Sequence, residues 1–326
     1  MVKEKIHYQE ELLYNRLTKR YRHLKKWARR TGTNAFRLYD RDIPEIPLVL
    51  DLYGDAVSGA YFKKPPEREP RGEDENWLKA MKAAIAMALD IPENQIFLKE
   101  RIRMRYRQEA GSQYGRIQNT HFYRDVSEKD LKFRVNLSDY LDTGLFLDAR
   151  KKRALIRQEA AGKRLLNLFA YTATLSVSAA IGGARHVDSV DLSNTYLEWG
   201  KINFAMNGLE ASGKFPFIRS DVLQYLVQAK EKGERWDIII LDSPSFSNSK
   251  KMKGSFDIKR DHKELIQLCL SLLSPGGKLF FSSNAKGFSL ESGSFSGVTI
   301  VDIGKDLVDE DFLGKRMPMN YRFTID

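Results

Sequence analysis

The residues best equipped for chemistry in this chain are Asp242, Pro244 and Phe246, which follow directly on the run Trp236-Asp237-Ile238-Ile239-Ile240-Leu241. An apolar run bounded by polar residues reads as a central parallel strand, and such sheets bind ligands in the crevice beyond the strands' carboxyl ends. Asp242 would stand at the lip of that crevice. A carboxylate there can accept hydrogen bonds from the amino or imino edge of a nucleobase, and Phe246 can stack on the ring. The plainer alternative is an ordinary strand-end Asp and a loop Phe that closes over the core. Two further acids bear on the choice. Asp191 ends a second candidate strand, Val187-Asp188-Ser189-Val190-Asp191, where an acid commonly grips the two ribose hydroxyls. Asp221 follows a third, Phe215 to Ser220, where it can accept from an adenine amino group. Acids at the ends of strands two, three and four, all facing one crevice, point to a ligand rather than to helix caps alone.

The turn after the first strand, Asn167-Leu168-Phe169-Ala170-Tyr171-Thr172-Ala173-Thr174, carries no glycine. A G-x-G-x-x-G pyrophosphate fingerprint is absent, which argues against a nicotinamide dehydrogenase and leaves room for a smaller ligand without phosphates.

The elements that must hold these residues can be read from periodicity. Strands are expected at 164–169, 186–192, 215–220, 236–241 and 278–283, with helices at 175–181, 195–207, 222–231 and 259–273; that alternation implies a doubly wound parallel sheet. Ahead of it the pattern differs. Residues from about 10 to 30 make a helix whose buried face is Leu13, Leu17, Tyr21 and Leu24, while Lys25, Lys26, Arg29 and Arg30 belong to a flank without acids and suit phosphate contact. A hairpin is expected over 48–62, a helix over 77–86, and a strand from Ile96 to Arg107. On that strand Lys99, Arg101, Arg103, Arg105 and Arg107 recur at every second position, roughly 6.6 Å apart, close to the phosphate spacing of an extended nucleic acid. Edge-strand cations can instead block aggregation, but five in register exceed that need.

Composition sets the bounds. With 326 residues, 42% of them hydrophobic, the chain can bury a sizeable core and divide into domains. A formal net charge of +11 points to a polyanionic partner. The single cysteine, Cys269, rules out an internal disulfide framework and any multi-cysteine metal site. A charged N-terminus and the lack of a bilayer-length apolar span lead to the expectation of a cytoplasmic protein with no membrane partner and no metal.

These motifs resemble the class I S-adenosylmethionine-dependent methyltransferases, and more narrowly the RlmK-type 23S rRNA guanine-N7 methyltransferase module that forms the C-terminal half of the fused RlmKL enzyme. The resemblance runs from Tyr21–Ala28 through Asp51–Asp55, Gly111–Gly115, Asp142–Asp148, Leu166–Thr172, Thr195–Trp199 and Phe246–Lys250 to Arg260–His262. It implies S-adenosylmethionine as cofactor. Asn167, Phe169, Ala170, Tyr171 and Thr172 would cradle its methionine part, Asp191 with Leu192 and Ser193 its ribose, and Asp221 its adenine. Asp242, Pro244 and Phe246 would frame the target base, and Asp242 would also contact the cofactor. The expected architecture is a Rossmann-like α/β methyltransferase domain at 141–326, preceded by a small α+β RNA-binding domain at 46–140 and a basic helical segment at 1–45. The RNA contacts would come from Lys25, Lys26, Arg29, Arg30, Arg101, Arg103, Arg105 and Arg107, and the RNA would be 23S rRNA or a large-subunit precursor.

There are departures. Ser243 stands where the family usually has a first proline, and Ala173 where glycine is usual. The guanine-N2 half of the fused enzyme is missing from this sequence, so one reaction is expected, with room for a separate guanine-N2 methyltransferase. Guanine N7 carries an available lone pair and needs positioning more than a base. Guanine N2 would call on Asp242 as an acceptor. Cytosine C5 would need a thiolate, and Cys269 lies in the apolar helix run Leu265–Leu270. A non-catalytic RNA-binding assembly factor, suggested by Ser243 and Ala173, is the alternative from another class.

Overall fold

A computed structural model describes residues 2–62, 73–101, 117–247 and 256–325 of the chain, which divides into two compact units. One unit comprises Met1–Leu147 with Glu310–Lys315, the other Asp148–Asp309 with Arg316–Asp326.

In the first unit, helix α1 (Val2–Thr31) starts earlier than its hydrophobic face requires. Strand β1 (Ala35–Asp40) follows, then the hairpin β2 (Leu48–Tyr53) and β3 (Ala56–Tyr61), helix α2 (Glu73–Leu89) and strand β4 (Ile96–Glu100). The sheet order is β1-β2-β3-β4, with β3 and β4 parallel and the other pairs antiparallel. Leu13, Leu17, Leu24 and Trp27 of α1 bury with Met81, Ala84 and Ile85 of α2 and with Leu48 and Leu50 of the sheet. Strand β1 is not among the elements that periodicity predicts. Its Arg37 breaks the apolar alternation because it reaches Asp51 on β2 at 2.8 Å. A separate hairpin pairs β5 (Tyr123–Glu128) with β6 (Leu131–Asn136). The basic helix thus groups with the small sheet, because the buried face of α1 is part of that sheet's core.

The second unit begins with helix α3 (Arg150–Glu159) and then alternates: β7 (Arg164–Leu168), α4 (Thr174–Ile181), β8 (His186–Asp191), α5 (Asn194–Met206), β9 (Phe217–Arg219), α6 (Val222–Glu231) and β10 (Trp236–Ser243). A two-residue pair, β11 (Phe246–Ser247) with β12 (Phe256–Asp257), leads into α7 (Ile258–Ser271), β13 (Leu273–Ser283), β14 (Val298–Asp302) and β15 (Met319–Ile325). The seven strands of the main sheet run β14-β15-β13-β10-β7-β8-β9. The pairs from β13 to β9 are parallel, and β15 and β14 close one side antiparallel. This is the expected Rossmann-like, doubly wound α/β sheet. The strands β14 and β15 add to the expected parallel set; polar residues interrupt both, so neither reads as a continuous apolar run. Strand β10 is central because Ile239, Ile240 and Leu241 are buried on both faces, against Leu166 and Leu168 on one neighbour and Leu279 and Phe281 on the other. Among the described residues no helix is long and apolar enough to cross a membrane.

Candidate active site at the carboxyl rim of the sheet

The carboxyl ends of β7, β8 and β10 are adjacent or next-neighbours in the sheet order, so the fold gathers most of the expected site residues along one rim. The turn after β7 is unusual. Phe169, Tyr171 and Ala173 all take left-handed backbone conformations, with φ of 55°, 53° and 56°. Such conformations are strained for residues other than glycine, and runs of them mark functional sites. Backbone bonds hold the turn: Ala170 N–H donates to Val190 O at 2.9 Å, and Ala173 N–H to Ala170 O at 2.8 Å. The Asn203 side-chain amide donates to Thr172 O at 2.9 Å.

Asp191 is the other anchor. Its Oδ2 accepts from Tyr171 N–H and its Oδ1 from Ser193 N–H, both at 2.8 Å. Burial raises its carboxyl above the usual range, although the N–H donors of Ser193, Tyr171 and Leu192 pull the other way. Asp191 therefore ties the turn after β7 to the turn after β8, where Ser193 caps α5. The departure at Ala173 is accommodated across the same gap. Gly200 of α5 faces it, and a Cβ at Gly200 would come within 2.9 Å of the Ala173 methyl.

Asn167 is buried at 1% exposure, and its amide donates to Ser176 Oγ at 2.9 Å. Its Oδ1 has no hydrogen-bond partner among the described residues, nor has the buried Ser243 Oγ. Buried polar atoms without partners are uncommon and mark places where a ligand or water completes the site. The donor and acceptor set around Asn167, the strained turn and Asp191 fits the amino-acid and ribose parts of S-adenosylmethionine, which offer hydroxyl and ammonium donors.

Asp221 has a structural task of its own: its Oδ1 accepts from Gln224 N–H at 3.1 Å and caps α6. Asp242 is engaged more closely. Its Oδ2 accepts from the ammonium of Lys152 at 2.9 Å, and its Oδ1 from the Ser282 hydroxyl at 2.5 Å. Sequence reasoning points to neither Lys152 nor Ser282. The available signal lies in α3, where Arg150, Lys152, Arg153 and Ile156 form the buried face, so basic side chains stand at positions where periodicity predicts apolar ones. Phe246 is 43% exposed at the start of β11, and Pro244 precedes it on the link from β10.

Of the residues expected to contact RNA, Lys25, Lys26, Arg29 and Arg30 are all exposed on α1, with Lys25 over the Tyr21 ring. Arg101 instead bonds Asp142 at 2.5 Å. Its neighbour Lys99 is buried and donates to Tyr140 O. Arg103, Arg105 and Arg107 lie outside the described residues. Cys269 is fully buried in α7, and burial pushes its thiol up, which disfavours the thiolate form.

Comparison with known proteins decides the family. A family model described as S-adenosylmethionine-dependent methyltransferase matches residues 56–291. The chain belongs to this family. It is a methyltransferase that uses S-adenosylmethionine, as expected. The ribosomal RNA large subunit methyltransferase K of Neisseria meningitidis is 44% identical over 93% of this chain and 84% of its own length. The methyltransferase K/L of Pseudomonas aeruginosa is 42% identical over 93% of this chain; the chain spans 40% of that relative's length. A solved structure of SMU.776, described as a methyltransferase complexed with SAH, superposes with a TM-score of 0.76 at 26% identity, covering 97% of this chain and 82% of the other.

Proposed function

We propose that this methyltransferase transfers a methyl group to guanine N7 of 23S rRNA, or of a large-subunit precursor, in the cytoplasm. Relatives called ribosomal RNA large subunit methyltransferase K and K/L, similar over nearly the whole chain, support the substrate class. The observation that carries the choice of atom is the state of Asp242. Both of its oxygens already accept internal bonds, from Lys152 and Ser282, so its outer edge is left to hold the base by hydrogen bonding rather than to take a proton from it. A target nitrogen with an available lone pair suits that arrangement, whereas an exocyclic amine must shed a proton on methylation.

When bound, S-adenosylmethionine supplies a methyl group on an activated sulfonium. The chain's own residues do the rest by position. Asn167 and the Phe169–Thr172 turn hold the methionine part, Asp191 with Leu192 and Ser193 the ribose, and Asp221 the adenine. Pro244 stiffens the link after β10, Asp242 offers its exposed edge to the base, and Phe246 stacks on the extruded guanine. The cations of α1 contact phosphates, as would Arg103, Arg105 and Arg107; Arg101 would join them on leaving Asp142. Metal plays no part in this scheme, and a separate guanine-N2 methyltransferase would perform the other half of the K/L pair.

Mapping methylated nucleotides in 23S rRNA from cells lacking this gene tests the reading. One N7-methylguanosine should disappear and return on complementation; an unchanged rRNA would contradict it.

A further inference from the structure

Three polar groups from three elements close on one another at the end of β10. Asp242 and Ser282 are register neighbours on β10 and β13, and Lys152 comes up from α3. The Lys152 ammonium donates to Asp242 Oδ2 at 2.9 Å and to Ser282 Oγ at 2.7 Å, and the Ser282 hydroxyl donates to Asp242 Oδ1 at 2.5 Å. Each group touches the other two. The Lys152 side chain is only 7% exposed, and that of Asp242 is 36% exposed. An ammonium buried to that degree is costly unless paired, and no turn of the backbone requires a lysine here. The triangle's inner edge is therefore fixed, and the carboxylate's outer edge is what the solvent side of the rim meets.

We propose that Lys152 is a positioning residue that, with Ser282, locks the Asp242 carboxylate in one orientation toward the target base. This rests on the reading that Asp242 frames the base. Lys152 itself, buried behind the carboxylate, acts through Asp242 and touches no substrate. Loss of the clamp frees Asp242 to rotate, and small misplacements of a framing group cost turnover rather than cofactor affinity.

The test compares Lys152→Met, Lys152→Arg and Ser282→Ala with wild type in methyl transfer to unmodified 23S rRNA, with S-adenosylmethionine affinity measured by calorimetry. Lys152→Met should lower kcat about 10- to 100-fold with the cofactor Kd unchanged. Ser282→Ala should lower kcat by a smaller factor, and Lys152→Arg, which keeps the charge, should recover most of the loss. Lys201→Met, on the exposed face of α5, serves as the control with unchanged kcat. Wild-type kcat in Lys152→Met, a loss carried by cofactor Kd, or an arginine variant no better than methionine overturns the clamp. If Lys152→Met does not fold, Ser282→Ala decides: reduced kcat supports the clamp and wild-type kcat overturns it. A wild-type protein that binds the cofactor yet methylates no rRNA overturns the proposed function and the role of Lys152 with it, whereas equal transfer by wild type and Lys152→Met overturns the clamp alone.

Discussion

At the scale of single residues, Asp191 and Asp242 stand on one rim of the sheet and have different work. Asp191 accepts from two backbone N–H groups and holds two turns together, so Asp191→Ala loosens the turn after β7 and, on the proposed function, also removes a ribose acceptor. Calorimetry should show cofactor affinity weakened by about 2 kcal/mol, the size of hydrogen bonds to a charged acceptor. Asp242→Ala should leave that affinity nearly intact and lower kcat; methyl transfer at the wild-type rate would remove Asp242 from the site. Cys269 offers the converse check. Because it is a buried apolar filler, Cys269→Ala should keep wild-type kcat and lower stability by about 1 kcal/mol, read from urea unfolding. Asp191, Asp221 and Asp242 are legible in the sequence because each stands at the end of a candidate strand. Their partners are not. Whether a strand-end carboxylate is open, capping or ion-paired depends on side chains arriving from distant elements, and Lys152 is 90 residues away from Asp242.

At the scale of elements, the turn after β7 shows how a missing glycine is accommodated. Ala173 keeps φ at 56° while Gly200 on α5 leaves space for its methyl. Gly200→Ala should therefore overpack the gap, costing about 1–3 kcal/mol, and Ala173→Gly combined with it should recover part of that loss. Purely additive changes in the double mutant would show that the two sites do not touch. The alternation of strands and helices from β7 to β13 is readable because its central strands carry runs of buried apolar residues, Leu165, Leu166 and Leu168 in β7 and Ile238 to Leu241 in β10. The basic stripe from Lys99 suggests a solvent-facing row, yet Lys99 points inward to Tyr140 O; charge alternation gives the period of a strand but not which face is covered. Burial lowers the Lys99 ammonium to about 8 from 10.5. The unfolded chain then binds more protons between those values, so this group's penalty fades as pH rises from about 8 toward 10.5. Relative to Lys99→Met, the wild type should gain stability over that window in thermal melts; a pH-independent difference would mean the ammonium is solvated.

At the scale of the whole molecule, a net charge of +11 is the feature that reaches farthest, because counterion release from RNA scales with the number of phosphates neutralised. Reversing Lys25, Lys26, Arg29 and Arg30 to glutamate should flatten the dependence of RNA affinity on salt by about 0.7 to 0.9 in log–log slope for each phosphate no longer neutralised. An unchanged slope would return that face of α1 to plain solvation. The central claim concerns the atom that receives the methyl group. It is tested most directly by incubating the protein with S-adenosylmethionine carrying a deuterated methyl and unmodified 23S rRNA, then identifying the labelled nucleoside by mass spectrometry. The account predicts label in N7-methylguanosine; label in N2-methylguanosine or 5-methylcytidine, or in no nucleoside, contradicts it.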